Sequence, residues 1–187
     1  MEFEKIVRLI FEVGELKRVP RSGWLRFGIG NVESVAEHSM RTAFIAFIVA
    51  FIETSSYEVA TKSAFYALIH DMAEARTTDL HKLARKYMDV DTERAFRDQL
   101  SLLPSNLAEK ILEERDDVKK YVKDADKLEL LFQAMEYSKI NSETLLYAEN
   151  LSFETDAAKE IARAIKPDSW WIYFEELNHN KHKKHEK

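Results

Sequence analysis

The segment from Ser34 to Ile52 constrains the fold more than any other part of the chain. It opens with a capping box, in which the side chains of Ser34 and Glu37 satisfy free amide groups at a helix N-terminus. The residues that follow are apolar on nearly every face of a helix, so the helix must be buried among other elements. The sequence therefore predicts a central, buried helix that carries His38 in its first turn.

A shortage of residues that break helices extends this prediction to the rest of the chain. Four Gly and three Pro occur among 187 residues, and three of the four Gly lie between residues 18 and 33. The remainder is rich in Ala, Leu, Glu and Lys, which favour helices. A chain of this length is most simply one domain. We therefore predict an all-α fold, with a single helical bundle over residues 1–177 and a polar, disordered tail over residues 178–187.

The composition also limits the surroundings and partners of the protein. The net charge of −5 argues against a duplex nucleic-acid binder, which usually carries a basic face. The longest apolar run, residues 43–52, is shorter than the ~20 residues of a membrane span, and the N-terminus lacks the features of a secretory signal. Cysteine is absent, so any metal must be bound by nitrogen and oxygen ligands. We expect a cytoplasmic protein without membrane or duplex nucleic-acid partners.

The adjacent residues His70 and Asp71 stand at the end of a second apolar run and give the clearest chemical signal in the chain. Burying Asp71 as a bare ion would be costly, so its carboxylate needs a partner or a metal. A neighbouring imidazole and carboxylate offer a metal two ligands from one short piece of backbone. His38 is a candidate for a further ligand, although its position alone also fits a core or capping histidine. Glu74 lies three residues after Asp71 and shares its face if the helix continues.

A long helix predicted over residues 117–140 supplies the fourth candidate ligand. Asp126 occupies one position of an otherwise apolar row that repeats every four residues. A carboxylate in such a row needs a partner, so we predict that Asp126 points inward, whereas Asp124 falls on the polar arc of the helix. Glu129 and Glu136 also fall near the apolar arc. They are either groups that support the metal ligands or acceptors for buried donors.

The one clear loop in the first half of the chain, residues 18–33, carries side chains that suit a nucleotide. The guanidinium groups of Arg18 and Arg21 match phosphate oxygens, and Trp24 can form the wall of a nucleoside pocket. The alternative is that the arginines are solvated and that Trp24 fills the core. Asp79 is open to a similar choice, because it can cap a following helix or act in a site.

Four segments of the sequence, read together, carry a family likeness. They are LKRVPRSGW, ESVAEHS, LIHDMAEARTTDL and KDADKLELLFQAMEY, and they span roughly residues 16–137. In this order and at this spacing they resemble the HD-domain metal phosphohydrolases. Within that group the chain is similar to the YfbR-type 5′-deoxyribonucleotidases and their eukaryotic and archaeal relatives. The His-Asp pair alone would be weak evidence, but four ordered segments are specific.

The resemblance implies a bound metal ion. In the family, a His, a His-Asp pair and a distant Asp hold one divalent cation. A set of two imidazoles and two carboxylates suits Mn, Co, Ni, Fe, Zn or Mg. The resemblance also gives Glu74 a catalytic role in proton transfer or water positioning. The implied metal ligands are His38, His70, Asp71 and Asp126.

The resemblance further implies a pocket for the sugar and the phosphate. Asp79 matches the family position that contacts the sugar, and Trp24 matches a Trp that favours deoxyribose. The bacterial pattern has Arg directly before this Trp, whereas this chain has Gly23. Arg21 is the nearest replacement for binding the phosphate, with Arg18 behind it.

These assignments predict an enzyme, a metal-dependent phosphomonoester hydrolase that releases phosphate from deoxynucleoside 5′-monophosphates. The family is usually dimeric, and the aromatic segment after Pro167 is one candidate interface. Three alternatives remain open. The chain hydrolyses another phosphorylated nucleotide, such as a phosphodiester, a triphosphate or (p)ppGpp; or it is a non-catalytic module that binds a metal or nucleotides; or its His and Asp residues are merely structural.

Overall fold

The computed structural model describes residues 2–166. Within these residues the chain forms α-helices and short 3-10 turns but no β-strand, apart from one isolated bridge between Pro20 and Ser34. The prediction of an all-α fold is therefore confirmed. The predicted boundary at residue 177, the aromatic segment after Pro167 and the polar tail lie outside the described residues.

Ten α-helical segments follow one another between residues 2 and 166, and several are single turns. In chain order they are α1 (Glu2–Gly14), α2 (Ser22–Leu25), α3 (Val35–Thr54), α4 (Tyr57–Ile69), α5 (Glu74–Thr77), α6 (Thr92–Leu100), α7 (Ser105–Glu114), α8 (Lys119–Tyr137), α9 (Thr144–Tyr147) and α10 (Asp156–Ala164). The 3-10 turns span Glu15–Lys17, Ala84–Lys86 and Arg115–Val118. Helices α3, α4 and α8 pack against one another and form the centre of the bundle.

Helix α3 is the central helix that the capping box predicts. The Ser34 amide donates to Glu37 Oε2 over 2.7 Å, and the Glu37 amide donates to Ser34 Oγ over 3.2 Å. One face of α3 packs against α4 and α8 through small and branched side chains, which let the helix axes approach closely. The buried residues of this contact include Ile45, Ala46, Val49 and Ala50 of α3, Ala60 and Ala67 of α4, and Ala125 and Leu128 of α8.

The opposite face of α3 corrects the prediction that this helix is buried nearly all round. Met40, Phe44 and Ile52 are 63%, 66% and 59% exposed. A second apolar stripe runs along α1, where Phe3 and Phe11 are 80% and 76% exposed. No other part of residues 2–166 covers these two stripes. An apolar sequence pattern therefore indicates which faces a helix can bury, and it does not show which faces are buried.

Helix α3 is also the one helix between residues 2 and 166 that is long and apolar enough to cross a membrane, judged by length and composition alone. Its mean hydropathy is 1.5, and 44% of the apolar window is buried inside the bundle. The core helices of helical bundles meet the same criterion. Contacts with α4, α8 and α10 identify α3 as such a core helix.

The polar arc of α8 requires a second correction. Asp124, predicted to face outward, is fully buried. Its carboxylate accepts hydrogen bonds from the Glu154 amide over 3.0 Å and from the Thr155 amide and hydroxyl over 2.7 Å. Thr155 is the N-cap of α10, so Asp124 anchors the start of that helix. The periodicity of α8 cannot reveal this role, because the segment that covers Asp124 comes from later in the chain.

Candidate metal centre

Three helices bring the four predicted metal ligands to one place. Helix α3 supplies His38 from its first turn, His70 and Asp71 directly follow the end of α4 at Ile69, and α8 supplies Asp126. His38 Nε2 lies 3.3 Å from Asp126 Oδ1 and 3.6 Å from Asp71 Oδ2. His70 Nε2 lies 3.2 Å from Asp71 Oδ2 and 3.9 Å from Asp126 Oδ1. Two imidazole nitrogens and two carboxylate oxygens therefore surround one point.

The hydrogen bonds of the two histidines fit a bound cation. His38 Nδ1 lies 2.5 Å from Glu129 Oε2, and His70 Nδ1 lies 2.6 Å from the Ala67 carbonyl oxygen. An acceptor at Nδ1 keeps the proton there and leaves the lone pair of Nε2 free for a metal. Both Nε2 atoms are buried and lack a hydrogen-bond partner in the part of the chain that the structure describes. First-row divalent cations accept such a mixed set of nitrogen and oxygen ligands.

The charges of the metal-free site favour the same cation. Burial lowers the pKa of His38, but the carboxylates of Asp126 and Glu129 outweigh it and raise this pKa to about 10. Burial raises the pKa of Asp71, but His70 and other cationic neighbours outweigh it and hold the pKa well below its usual range. Asp126 also has a lowered pKa, because contacts with the two histidines outweigh its burial. Both carboxylates are therefore ionised at neutral pH, and a histidine proton stands where a metal would bind.

Glu74, the predicted catalytic residue, begins α5 three residues after Asp71. Its Oε2 atom is buried without a hydrogen-bond partner among residues 2–166, and its Oε1 atom lies 3.6 Å from Arg85 Nη2. Burial raises the pKa of Glu74 to about 8, helped by the charges of Asp71 and Asp79. Glu74 also lines a cavity of about 330 Å³ that reaches His70 and Asp71. It thus holds a proton at neutral pH beside the candidate ligands.

Arg21 and Asp79 lie beside Asp71 on the wall of a second cavity. Arg21 Nη1 is 3.5 Å from Asp71 Oδ2 and 3.5 Å from Asp79 Oδ1. Asp79 is buried, and its Oδ2 accepts a hydrogen bond from the Ser22 amide over 2.6 Å. No α-helix begins after Asp79 before α6, and the next helical turn is the 3-10 turn at Ala84–Lys86. Asp79 is therefore not a helix cap, and it lines this cavity beside Asp71.

Arg18, the second arginine assigned to the phosphate, lies on the surface and does not line this cavity. Arg18 Nη1 donates to Glu15 Oε1 over 2.9 Å, and its side chain is 73% exposed. The 3-10 turn just before Arg18 places the two side chains three residues apart on the surface, where they pair with each other. Lys82 and Arg85 line the cavity beside Arg21 instead.

This second cavity, of about 180 Å³, opens beside the metal ligands and has an aromatic wall. Trp24 is 1% exposed, and its ring packs edge-on against Tyr137 and Tyr147 at centroid distances of 5.3 and 5.2 Å. Its Nε1 donates to Glu33 Oε1 over 3.0 Å. Trp24 is therefore both a core residue and a pocket wall, so its two interpretations do not exclude each other. The lining includes Arg21, Gly23, Trp24, Asp71, Asp79, Asp126 and Tyr147.

Gly23 gives a physical reason for the departure from the bacterial pattern. A Cβ atom at this position would lie 2.6 Å from the Tyr147 hydroxyl oxygen and 2.8 Å from the nearest ring carbon. Such contacts are too short for real atoms, so any side chain at position 23 would displace Tyr147 from the Trp24 ring. Glycine allows the backbone of α2 to approach α9 this closely. The guanidinium group nearest the candidate ligands is that of Arg21.

The sequence patterns missed two arginines of the site. Arg41 of α3 binds Glu129, which in turn contacts His38. The sequence does contain a signal for Arg41, because it is a single arginine in a largely apolar helix, three residues after a candidate ligand. A charge in such a helix needs a partner. Arg85 lies in an ordinary polar stretch and gives no such signal. The contact with His38 favours the interpretation of Glu129 as a group that supports the metal ligands.

Comparisons with known proteins agree with this arrangement. The family model described as HD domain matches residues 13–168. The 5′-deoxynucleotidase HDDC2 of Bos taurus is 30% identical over 140 residues, which cover 70% of this chain and 66% of that protein. The 5′-deoxynucleotidase hdd1 of Schizosaccharomyces pombe is 31% identical over 153 residues, which cover 74% of this chain and 75% of that protein.

A solved structure extends the likeness from sequence to fold. The crystal structure of genomics APC5600 is 51% identical and superimposes with a TM-score of 0.79, covering 86% of this chain and 92% of that chain. The curated relatives are matched over about two thirds to three quarters of their length. Since the family model covers most of the sequence, and since the His and Asp residues of its pattern converge in the structure, the chain belongs to the HD domain family.

Proposed function

We propose that this protein is a 5′-deoxyribonucleotidase, which hydrolyses deoxynucleoside 5′-monophosphates to a deoxynucleoside and phosphate. The observation that carries the proposal is the cavity in which Trp24, Asp79 and Arg21 lie beside the candidate metal ligands. An enzyme of this class needs a sugar site next to a phosphate site, and the cavity offers groups suited to both. Relatives at 30–31% identity are named 5′-deoxynucleotidases, which supports the same activity.

A divalent cation is part of the proposal. The four convergent side chains would hold it through two nitrogen and two oxygen atoms. Mn, Co, Ni, Fe, Zn and Mg are all compatible with this set. When bound, the cation supplies positive charge to a phosphate oxygen and lowers the pKa of a bound water. The proposed ligands are His38, His70, Asp71 and Asp126.

The side chains around the centre have separate roles in the proposed reaction. Arg21 offers its guanidinium group to the phosphate, in place of the arginine that the bacterial pattern has at position 23. Glu74 carries a proton that it can deliver to the 5′-oxygen as the deoxynucleoside leaves. Asp79 accepts a hydrogen bond from the 3′-hydroxyl group. Trp24 closes the wall beside the sugar and leaves little room for a 2′-hydroxyl group.

A second candidate function is the hydrolysis of a larger phosphorylated nucleotide. A further cavity, of about 400 Å³, also borders His70 and Asp126. Arg115, Lys119 and Lys123 line it, and their charges suit an additional phosphate group. Two of these three cations are already paired with acidic neighbours, so the monophosphate remains the preferred substrate.

The proposed function is tested by phosphate release from a panel of 5′-deoxynucleotides, 5′-ribonucleotides and 3′-deoxynucleotides. The protein would be treated with EDTA and then supplied with Mn, Co, Mg or Zn, one metal at a time. We expect metal-dependent turnover of the 5′-deoxynucleotides and poor turnover of the other two classes. Turnover of both sugars at equal rates would remove the selectivity assigned to Trp24 and Asp79.

Two further results would replace the proposal. Cleavage of bis(p-nitrophenyl) phosphate or of deoxynucleoside triphosphates, without activity on monophosphates, would favour the second candidate. No turnover by a protein that holds its metal would indicate a non-catalytic module that binds a metal or nucleotides.

We also propose that the protein acts as a homodimer. The support is the exposed apolar stripe on α3, with Met40 and Phe44, and the one on α1, with Phe3 and Phe11. Exposed apolar patches of this kind mark interaction surfaces. Light scattering should give twice the chain mass of 21.9 kDa, and Phe44→Glu should give the monomer. A monomeric wild-type protein would contradict the dimer. The cytoplasmic location and the lack of membrane or duplex nucleic-acid partners stay predictions from the sequence.

A further inference from the structure

Glu129 and Asp126 lie three residues apart on α8, and both contact His38. Asp126 Oδ1 is 3.3 Å from His38 Nε2, on the side of the ring that faces the other ligands. Glu129 Oε2 is 2.5 Å from His38 Nδ1, on the opposite side of the ring. One turn of α8 therefore contacts the imidazole at both of its nitrogens.

Glu129 is fully buried, and Arg41 supplies its countercharge. Arg41 Nε and Nη2 both donate to Glu129 Oε1, over 2.9 and 2.6 Å. Arg41 also donates to Gln133 and Glu136, further along α8, over 2.6 and 2.7 Å. A buried carboxylate without such a partner would be strongly destabilising. Arg41 thus allows Glu129 to remain charged behind His38.

We propose that Glu129 is a positioning residue of the metal centre, which keeps the proton on His38 Nδ1 and so directs the lone pair of Nε2 toward the cation, while Arg41 holds Glu129 in place. An imidazole that donates to a carboxylate keeps one tautomer and one ring orientation, and it becomes a stronger metal ligand. Glu129 touches neither the substrate nor the reacting atoms. It acts through His38.

A second metal site at Glu129 is the first alternative to this role. Glu33, His38 and Glu129 place one ligand atom each within 4.8 Å of one another. Arg41 argues against a cation there, because its guanidinium group already binds Glu129 Oε1.

The other alternative is that Glu129 and Arg41 only fasten α3 to α8. The two readings of the Glu129–Arg41 pair, positioning and fastening, predict different metal affinities.

Glu129→Gln and Asp124→Asn separate these two readings. Both substitutions remove a buried carboxylate from α8, but Asp124 contacts the start of α10 and not His38. Metal-stripped variants would be titrated with Co²⁺ while the visible absorption is recorded. We expect Glu129→Gln to weaken Co²⁺ binding by about 10- to 100-fold and to change the absorption bands. Asp124→Asn should lower Tm but keep the wild-type affinity and spectrum.

If Glu129→Gln bound Co²⁺ with the affinity and the spectrum of the wild type, the proposal would be overturned. Glu129 would then serve only to fasten α3 to α8. If this variant does not fold, the wild-type protein decides the question through ¹⁵N NMR of its Zn²⁺-loaded form. We expect the proton on Nδ1 and the metal on Nε2 of His38, and the reverse assignment would overturn the proposal. The inference rests on the metal centre of the proposed function. Neither experiment contains a nucleotide, so their results hold even if the proposed substrate is wrong.

Discussion

Asp124 and Asp126 lie two residues apart on α8, and their surroundings are opposite. Both carboxylate oxygens of Asp124 accept hydrogen bonds, and the residue is fully buried under the start of α10. Asp126 keeps 44% of its side chain exposed and faces His38 and His70. Around Asp124 the hydrogen-bond acceptors are satisfied, whereas around Asp126 two buried imidazole nitrogens have no hydrogen-bond partner among residues 2–166.

The two clusters differ more in how many of their buried polar atoms lack a hydrogen-bond partner than in how deeply they are buried. We take this difference to separate a structural cluster from a functional one. A buried polar atom without a partner costs about 1–3 kcal/mol, so folded proteins retain few of them. Several such atoms that converge on one point indicate a ligand that completes the cluster. Location separates Arg18, which pairs with Glu15 on the surface, from Arg21, which pairs with Asp71 and Asp79 in the cavity.

The pair Asp126→Asn and Asp124→Asn should give the largest contrast. Loss of a metal ligand should reduce phosphate release from deoxynucleoside 5′-monophosphates by at least about 10³-fold, since a metal contributes several kcal/mol to such a reaction. Asp124→Asn should keep the turnover per folded molecule but lower the free energy of unfolding by about 1–3 kcal/mol. Activity assays and thermal denaturation measure the two effects. If Asp124→Asn abolished the activity and Asp126→Asn lowered only the stability, the roles assigned to the two residues would be wrong.

Glu74→Gln should have the next largest effect. Glu74 has a buried oxygen without a hydrogen-bond partner among residues 2–166, and it lines a cavity with His70 and Asp71. Removing its proton should lower kcat by about 10²- to 10⁴-fold. The Tm should not fall, because Gln removes a buried carboxyl group whose ionisation is disfavoured there. Steady-state kinetics and calorimetry measure these quantities, and full turnover in this variant would exclude the catalytic role.

Arg18 and Arg21 should differ in their effect on substrate binding. Arg21→Ala should raise KM for the monophosphate by about 10- to 100-fold, since hydrogen bonds to charged groups contribute about 1.5–3 kcal/mol. Arg18→Ala should leave KM at its wild-type value, because Arg18 contacts Glu15 on the surface. Initial rates over a range of substrate concentrations measure both constants. If both substitutions raised KM equally, Arg18 would also be a phosphate-binding residue.

Glu33 should give the smallest effect, one that depends on pH. Burial, together with the charge of Glu129, raises its pKa from the ordinary 4.5 to about 7. The folded protein therefore holds this proton more tightly than the unfolded chain does. The resulting stabilisation is complete below pH 4.5 and is lost as the pH rises to 7.

Glu33→Gln should remove this part of the pH dependence. Its amide oxygen can keep the hydrogen bond from Trp24 without a negative charge. The metal-free variant should be more stable than the wild type by about 1–3 kcal/mol at pH 8 and similar to it at pH 5. Urea denaturation at the two pH values measures the difference. A difference of the same size at both pH values would show that Glu33 does not titrate in this range.

Local patterns were sufficient to predict the α-helical fold, and the family resemblance added the set of candidate metal ligands. The capping box at Ser34 and the apolar rows of α3 and α8 depend on contacts within one helix, which the sequence encodes directly. The convergence of His38, His70 and Asp126 also follows once the three helices pack together. Their role as metal ligands stays a prediction that the geometry supports.

The errors lie where distant segments meet. Asp124 is covered by the chain before α10, and Gly23 is required by the Tyr147 ring, and neither contact leaves a local pattern in the sequence. The chemistry of the Arg18 side chain suits phosphate, but it does not reveal that the 3-10 turn before Arg18 pairs this residue with Glu15. Helical periodicity also overestimates the burial of α3, because it cannot show which apolar faces have a neighbour.

We propose above that one divalent cation completes the cluster of His38, His70, Asp71 and Asp126. The most direct test is the metal content per chain after equilibration with Mn²⁺ and removal of the excess, measured by mass spectrometry for wild type, Asp126→Asn and Asp124→Asn. We expect one cation per chain in the wild type and in Asp124→Asn, and loss of that cation in Asp126→Asn. A wild-type protein without bound metal, or equal metal content in all three proteins, would contradict it.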